Sequence, residues 1–475
     1  MSEPLESSAA EPTWGKKLPP AAHSYGLQSL RLRPYQLDIV NRVEAAPGRS
    51  ILVVLATGAG KTAIAEALTQ REPGRVVFLA DRKELVDQAH ERLGGGVVMG
   101  ARGTEGRVTV ASVATLARRE TRPPADLVFV DESHLYMAAS YRKVVDAYRG
   151  SGARVVGLTA TPARLDGQGL GELFDAVVEG PSMTWLVEHG YLVPVRTYAP
   201  QGKWWDNVAV RAGDFKADDL AEAATAVVRD VAGAWQRLGG ASRPTVVFAC
   251  TKKHAAGLAP EFPGAVVVTD DTPRAERAAL KTRMTYGEVR VAISVGILGM
   301  GFDLPLLSCV VMARPTLSWS LYRQQAGRGT RIAPGKEDLL LVDCAGNALR
   351  HGLISDPFPI RLHGVHKVHR RALAGLVNCT MCLRVYAGLV CPGCGLEKKP
   401  VERRIRVVDG QLVELTGAQS FAQGATPGQQ VRLLAKWVRL AVEKGWKPGA
   451  AAARFKGMFH RWPTSAERAQ AEALQ

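Results

Sequence analysis

Cysteine, acidic side chains and long apolar runs are all scarce in this chain, and each scarcity excludes something. Seven cysteines in 475 residues are too few for a disulfide-built framework. Three of them, Cys250, Cys309 and Cys344, are embedded in apolar strand-like runs and read as core. No run approaches the apolar length of a membrane span, and Glu3 and Glu6 stand where a secretory leader would be basic. A cytoplasmic protein in a reducing compartment, with no membrane partner, is expected. Acids are outnumbered, with 45 Asp and Glu against 61 Lys and Arg and a formal net charge of +16, which favours a polyanionic partner. No nuclease constellation is evident.

What is there begins with a phosphate loop. ATGAGKT (56–62) follows the β-branched run Ile51 to Leu55 and leads into a helix-prone segment from Thr62 to Thr69. In a strand-loop-helix unit Gly58 and Gly60 let backbone N–H groups of Thr57 to Thr62, including Ala59, curl around phosphate oxygens at a helix N-terminus. Lys61 would reach the terminal phosphates and the Thr62 hydroxyl would hold Mg2+. Leu55 occupies the first glycine position of the strict motif, so a glycine-rich turn with a surface lysine is the alternative.

DESH (131–134) follows the apolar run Leu127 to Val130, which places two adjacent carboxylates at the carboxyl end of a strand, where parallel sheets bind ligands. Asp131 suits the shell of Mg2+, and Glu132 suits the orientation and deprotonation of an attacking water. The plainer alternative is a pair capping the following helix. TATP (159–162) ends a third strand-like run; Thr159 and Thr161 could relay the nucleotide state, or simply end a strand before Pro162. Far along the chain, QQAGRGTR (324–331) carries an arginine pair that could close over the same phosphates.

The alternation of short apolar runs with amphipathic segments, as in parallel strands joined by helices, extends from about Ser29 to Val195. It resumes from about Ala217 to Asn347, with VVFAC, AVVVT, RVAISV, SCVVMA and DLLLVD as strand candidates. Between them, residues 201–216 break the pattern and read as an interlobe connection, while residues 1–26, rich in Ser, Pro and Ala, read as a disordered arm.

Cys379, Cys382, Cys391 and Cys394 form C-x2-C-x8-C-x2-C, two close thiolate pairs of the kind that closes a tetrahedral Zn2+ site. His363, His366 and His369 are alternative ligands, though their spacing beside Arg and Lys better fits a solvated helical face. Between Arg361 and Arg406 ten basic residues stand against two acidic ones, consistent with contacts to phosphates or bases. Further on, an amphipathic helix is expected over Pro427 to Lys444. Trp446, Phe455, Phe459 and Trp462, interleaved with Lys447, Arg454, Lys456, His460 and Arg461, could stack on a single strand or be buried in a helical hairpin.

The order of these blocks, with RPYQ (33–36), LADRKELVDQ (79–88), VASVATL (110–116), VVFACTKKHA (246–255) and GMGFDLP (299–305), resembles the superfamily 2 helicases and translocases over most of residues 30–347. Within that family GLTATPARL, HGYLVP, ARPTLSWSLYRQQAGRGTR and APGKEDLLLVDCAGN look most like the bacterial RadD group, although Ser133 stands where that group usually has Cys. The resemblance implies that Gln36 reads an adenine edge, favouring ATP, and that Asp303 accepts from the ribose with Gly301 allowing close backbone approach. It further implies that Arg328 and Arg331 are arginine fingers and that Gln324 couples their helix to the γ-phosphate or the attacking water. The expected fold class is α/β: two tandem RecA-like parallel-sheet domains (27–200 and 217–350), a basic zinc-binding module (360–406) and a short helical C-terminal tail (407–475). The expected activity is an ATP-dependent nucleic-acid translocase, on DNA rather than RNA, in repair or recombination and with repair-protein partners. An RNA helicase, or an ATP-switched zinc-module scaffold, is the alternative.

Overall fold

In the chain's computed structural model the described residues are 32–135, 139–161, 170–199, 210–211, 214–215, 220, 224, 228–298, 303–358, 360, 362–363, 376–397, 427–443, 449–459 and 461–474. They belong to two compact units, Met1–Lys399 and Pro400–Gln475.

The first sheet contains β1 (Ser50–Val54), β2 (Val76–Ala80), β3 (Gly96–Met99), β4 (Arg102–Gly103), β5 (Val108–Ser112), β6 (Leu127–Val130), β7 (Arg154–Thr159) and β8 (Ala176–Glu179). Their spatial order is β4-β3-β5-β2-β6-β7-β1-β8, parallel except for the short β3–β4 pair. β1 reads SILVV and is buried throughout, because helices cover both faces of a parallel sheet. Ile51 and Val53 enter one core cluster, and Leu52 and Val54 the opposite one. Strands β6, β7 and β1 are neighbours running the same way, so the segments that follow them emerge side by side. Backbone hydrogen bonds Leu55 N to Thr159 O (2.9 Å) and Asp131 N to Leu79 O (3.0 Å) extend the ladder into those segments.

The second sheet, wholly parallel, contains β9 (Val195–Tyr198), β12 (Thr245–Phe248), β13 (Val266–Val268), β14 (Val291–Ser294), β15 (Cys309–Met312) and β16 (Leu339–Val342), in the order β13-β14-β12-β15-β16-β9. β10 (Val210–Arg211) and β11 (Asp214–Phe215) form a separate antiparallel hairpin. The first lobe, expected to run to residue 200, ends earlier than its sequence suggests. Val195–Tyr198 is an edge strand of the second sheet, with Val195 opposite Leu339. Leu192 packs in the first core and Val193 in the second, so the crossing falls inside one uninterrupted apolar run that carries no mark of the change. Asp214, in the expected connection, is fastened to the second lobe: it accepts from Leu317 N (2.8 Å) and Thr316 Oγ1 (3.1 Å) and pairs with Arg314 (3.2 Å).

After the second sheet the chain returns to the first. Phe358, Ile360 and Leu362 pack on the first lobe's core, and Gly171 N donates to Leu362 O (2.6 Å). The buried Arg323 guanidinium lies 4.7 Å from the ring centres of both Trp319 and Phe358 and donates to Ile354 O (2.6 Å), which fixes the start of this return. Beyond it, β17 (Leu376–Asn378) and β18 (Val385–Ala387) form a hairpin carrying the four cysteines. The hairpin docks on the exposed edge of β9 through Ala199 N to Leu383 O (3.1 Å) and Asn378 Nδ2 to Ala199 O (3.0 Å), so the second sheet has no bare edge there. The described parts thus match the expected class: two parallel-sheet α/β domains, a four-cysteine cluster and a helical tail.

The second unit contains helices Pro427–Glu443, Ala450–Phe459 and Ser465–Ala473 around Val431, Leu434, Ala435, Ala451, Phe455 and Ala471. Phe455 is 0% exposed, which removes it from any strand-stacking role. Arg461 is held by Glu467 at 2.6 Å, within a capping box that starts the last helix. Trp462 remains 52% exposed, with the Lys456 ammonium 4.7 Å from its ring centre. Trp446, Lys447 and His460 lie outside the described residues, as do His366 and His369. Phe455→Ala should destabilise this unit by about 3–5 kcal/mol, the usual range for emptying a buried phenylalanine site. Thermal unfolding of the whole chain should then show an early transition for the tail and an unchanged one for the two-sheet unit.

Candidate nucleotide site and metal centre

The phosphate loop turns on two glycines in the left-handed region, Gly58 (φ 86°) and Gly60 (φ 93°), before the helix Lys61–Arg71 begins. A methyl on Gly60 would sit 2.4 Å from Gln36 Nε2, and one on Gly327 would sit 2.8 Å from Thr57 Cβ. Both glycines therefore permit close approaches, the second of them between lobes. Gln36 is buried and spends both ends of its amide on its own chain: Nε2 donates to Ala59 O (3.0 Å) and Oε1 accepts from Arg33 N (2.9 Å). Tyr35 also donates to Ala59 O (2.8 Å), so RPYQ here braces the loop, and reading a base would require Gln36 to exchange those bonds.

At the end of β6 the chain makes a sharp turn. Glu132 has φ 47°, the left-handed region, at a cost of about 1–3 kcal/mol for a residue other than glycine. Ser133 Oγ donates to Val130 O (2.8 Å) and Leu158 O (3.3 Å), anchoring the turn to two strands. Glu132 is thereby buried at the lobe boundary, where Gln324 Nε2 of the second lobe donates to its Oε2 (3.3 Å). The same amide lies 3.3 Å from His134 Nε2, and His134 Nδ1 lies 3.4 Å from Glu132 Oε2 and 3.3 Å from Thr159 Oγ1. Burial lowers the His134 pKa, keeping the ring neutral and able to accept as well as donate.

A second bridge lies alongside. Thr161 Oγ1 is 2.7 Å from Ser320 Oγ, while Thr159 Oγ1 accepts from Thr161 N (3.0 Å). Ser320 and Gln324 are four residues apart on the helix Trp319–Ala326 and face the first lobe together. Thr330 Oγ1 donates to Thr57 O (3.4 Å), joining the turn after that helix to the phosphate loop. Ser320, Thr330 and His134 were not singled out from sequence. The spacing of Ser320 and Gln324 was the one legible signal, and it is common to many helices.

Charge is concentrated at the same boundary. Burial, then the adjacent Glu132, push the Asp131 carboxyl up to about 7 against the pull of Lys61 and Arg328. Burial, then Arg331, bring Arg328 down to about 10, with Glu132, Asp303 and Asp131 acting the other way. Arg328 is thus the arginine that senses the paired carboxylates. Arg331 pairs with Asp303 inside its own lobe, so the Asp303 carboxylate expected at a ribose is engaged by a cation instead. Thr62 is the second residue of the Lys61–Arg71 helix, and Gly301 lies outside the described residues.

The four cysteine Sγ atoms lie within 4.8 Å of one another, with Cys379–Cys394 and Cys382–Cys391 each at 3.5 Å. Four thiolates on one tetrahedral Zn2+ would be separated by roughly 3.8 Å, so the cage fits. Cys382 N points at Cys379 Sγ (3.5 Å) and Gly393 N at Cys391 Sγ (3.4 Å), and the first of these bonds brings the Cys379 thiol down to about 6. His363 takes no part in this cluster.

Family models match both lobes: "Type III restriction enzyme, res subunit" over residues 29–164 and "Helicase conserved C-terminal domain" over 236–333. The two models together are consistent with a superfamily 2 helicase. It is 28% identical over 304 residues to a 51.5 kDa protein of Lactococcus phage (isolate 7-9), covering 62% of this chain and 66% of that one. It is 29% identical over 366 residues to a protein of Saccharomyces cerevisiae named as an ATP-dependent helicase, IRC3, covering 69% and 53%. A fragment from Vibrio vulnificus YJ016, named as an HsdR subunit of a type I restriction enzyme, shares the fold, with a TM-score of 0.52, 22% identity and coverage of 67% and 65%. The chain therefore spans between about half and two thirds of the length of these relatives.

Two neighbouring carboxylates in one poorly solvated boundary repel. Because the folded pKa of Asp131 (about 7) exceeds its ordinary value of 3.8, the folded state holds the extra proton and stability falls as pH rises from about 4 to 7, then levels off. In protein stripped of divalent ions, Asp131→Asn should therefore raise Tm at pH 8 and do so far less at pH 5. An equal gain at both values would mean that the carboxyl is not under this strain.

Proposed function

We propose that the chain is an ATP-driven translocase acting on DNA, with helicase activity and a role in repair or recombination. The observation that carries this reading is the hydrogen bond from Gln324 to Glu132 across the lobes. It places the arginine-bearing segment of one lobe against the residue best suited to activate water in the other. Lys61 would bind the terminal phosphates and Thr62 with Asp131 would hold Mg2+. The backbone of Thr57 to Thr62, including Gly58, Ala59 and Gly60, would cradle the phosphates. Arg328, whose charge is felt by both carboxylates, and Arg331, once released from Asp303, would neutralise charge on the transferring phosphoryl group. Gln36, Gly301 and Asp303 complete the proposed nucleoside side, and Thr159 and Thr161 would carry its state to Ser320.

DNA is favoured over RNA by the RadD-like blocks and by relatives named as restriction-enzyme subunits. The four-cysteine cage would hold Zn2+. Because its hairpin is bonded to β9, it would move with the second lobe. The proposed site of action is the cytoplasm. The proposed extents are an arm (1–26), a first motor lobe ending near Leu192, a second beginning at Val193, a zinc module (360–406) and a tail (407–475).

Lys61→Ala should abolish ATP hydrolysis, and Glu132→Gln should bind ATP but hydrolyse it slowly, trapping a nucleic-acid complex. Arg331→Ala should cut turnover by on the order of a thousandfold with little change in nucleotide affinity. Turnover stimulated by single-stranded or forked DNA and not by RNA supports the reading. Stimulation by RNA alone favours an RNA helicase, and ATP binding without polynucleotide-stimulated turnover favours a scaffold.

Purified chain should carry one Zn2+. Cys391→Ser should lose it and expose β9 to proteolysis, since a module this small depends on its metal for folding. A metal-free, protease-resistant wild-type chain would contradict the assignment.

A further inference from the structure

Between the second lobe's two nucleotide-facing segments lies a lysine with no part in the mechanism above. The turn Ala333–Pro334–Gly335–Lys336 closes with Lys336 N donating to Ala333 O (3.1 Å), and Gly335 has φ 72°, the backbone that a Pro-Gly turn of the second type requires. This turn folds the Lys336 side chain back toward Arg331 and Pro305. Its ammonium donates to Arg331 O (2.7 Å) and to Pro305 O (2.9 Å). Pro305 stands two residues after Asp303, the partner of the Arg331 guanidinium. The segment that carries Asp303 and the segment that carries Arg331 are therefore joined twice, once by an ion pair and once, through backbone carbonyls, by one ammonium.

We propose that Lys336 is a positioning residue for ATP hydrolysis, a clasp that fixes the backbone of Arg331 to the Asp303 segment and so sets where the Arg331 guanidinium starts and returns. The inference rests on the finger role proposed for Arg331. A carbonyl-to-carbonyl bridge through an ammonium is well suited to this: lysine offers three donors and no acceptor, so it can satisfy two oxygens at once without competing for Asp303. The charges facing it are few. Arg331 repels it, and Asp338 attracts it but is itself shared by Arg196 (2.6 Å) and Arg243 (2.5 Å). Burial, then Arg331, bring Lys336 down to about 7, with Asp338 opposing. The charge-assisted form of the clasp is thus half present near pH 7, gained below that value and lost above it, leaving weaker neutral hydrogen bonds.

The test is steady-state ATP turnover by the full chain with saturating single-stranded DNA. Lys336→Met should lower kcat by about tenfold, the scale of one lost charge-assisted bond at a positioned group, with KM for ATP changed less than about twofold. Lys336→Arg, which stays charged and can reach two oxygens, should recover most of kcat and remove the alkaline limb of the kcat/KM profile near pH 7 to 8. In an Arg331→Ala background, Lys336→Met should add almost no further loss, because the clasp acts through that arginine. Normal kcat in Lys336→Met, or failure of Lys336→Arg to recover it, overturns the proposal. A full Arg331→Ala defect with a Lys336→Met loss that multiplies onto it overturns the clasp alone. Normal turnover in Arg331→Ala overturns the finger reading and the clasp with it.

Discussion

The arrangement depends on burying the Glu132 carboxylate between two lobes. A buried carboxylate is costly unless it is hydrogen-bonded, and the partners at hand are Gln324 from the second lobe and His134 from its own turn. Neither lobe supplies this environment alone. The left-handed backbone at Glu132 adds local strain that the Ser133 anchors to β6 and β7 sustain. A chain that puts strain and an acidic pair at a lobe boundary has given up stability there, the usual signature of a site shaped for chemistry.

The second lobe is held against the first by contacts of different kinds. Thr161 meets Ser320 through hydroxyls, Gly327 lets the turn after the arginine helix approach Thr57, and Arg277 pairs with Glu84 at 2.9 Å further out. Each is small and replaceable by water or by phosphate, so a ligand that prefers one arrangement needs only modest differential affinity to shift the balance. The return segment is different. Its apolar residues enter the first lobe's core while Arg323 grips its start from the second, a tether that limits relative motion without passing through the nucleotide site.

Much of this was legible in the sequence because the features are local. Apolar runs bounded by small residues marked β1, β6, β7 and β12 to β16, and the cysteine spacing marked the cage, since strand period and knuckle geometry are set within a few residues. What escaped was decided across the chain. Val195–Tyr198 joins the second sheet because β16 offers it a partner, and nothing in VRTY itself records that choice. The tail aromatics carried two readings, and only packing placed Phe455 in a core. The base contact expected of Gln36 came from the family resemblance. The present bonds of Gln36 to Ala59 and Arg33 follow from how the helix Pro34–Ala45 packs against the loop, which residue type alone does not specify.

The central claim is that Glu132 and Gln324 act as one unit across the lobes. A double-mutant cycle on single-turnover ATP hydrolysis, with Glu132→Gln, Gln324→Ala and the pair, tests it most directly. The account predicts strong non-additivity, with the double variant hardly slower than Glu132→Gln. Losses that multiply would show the two residues working independently and would contradict it.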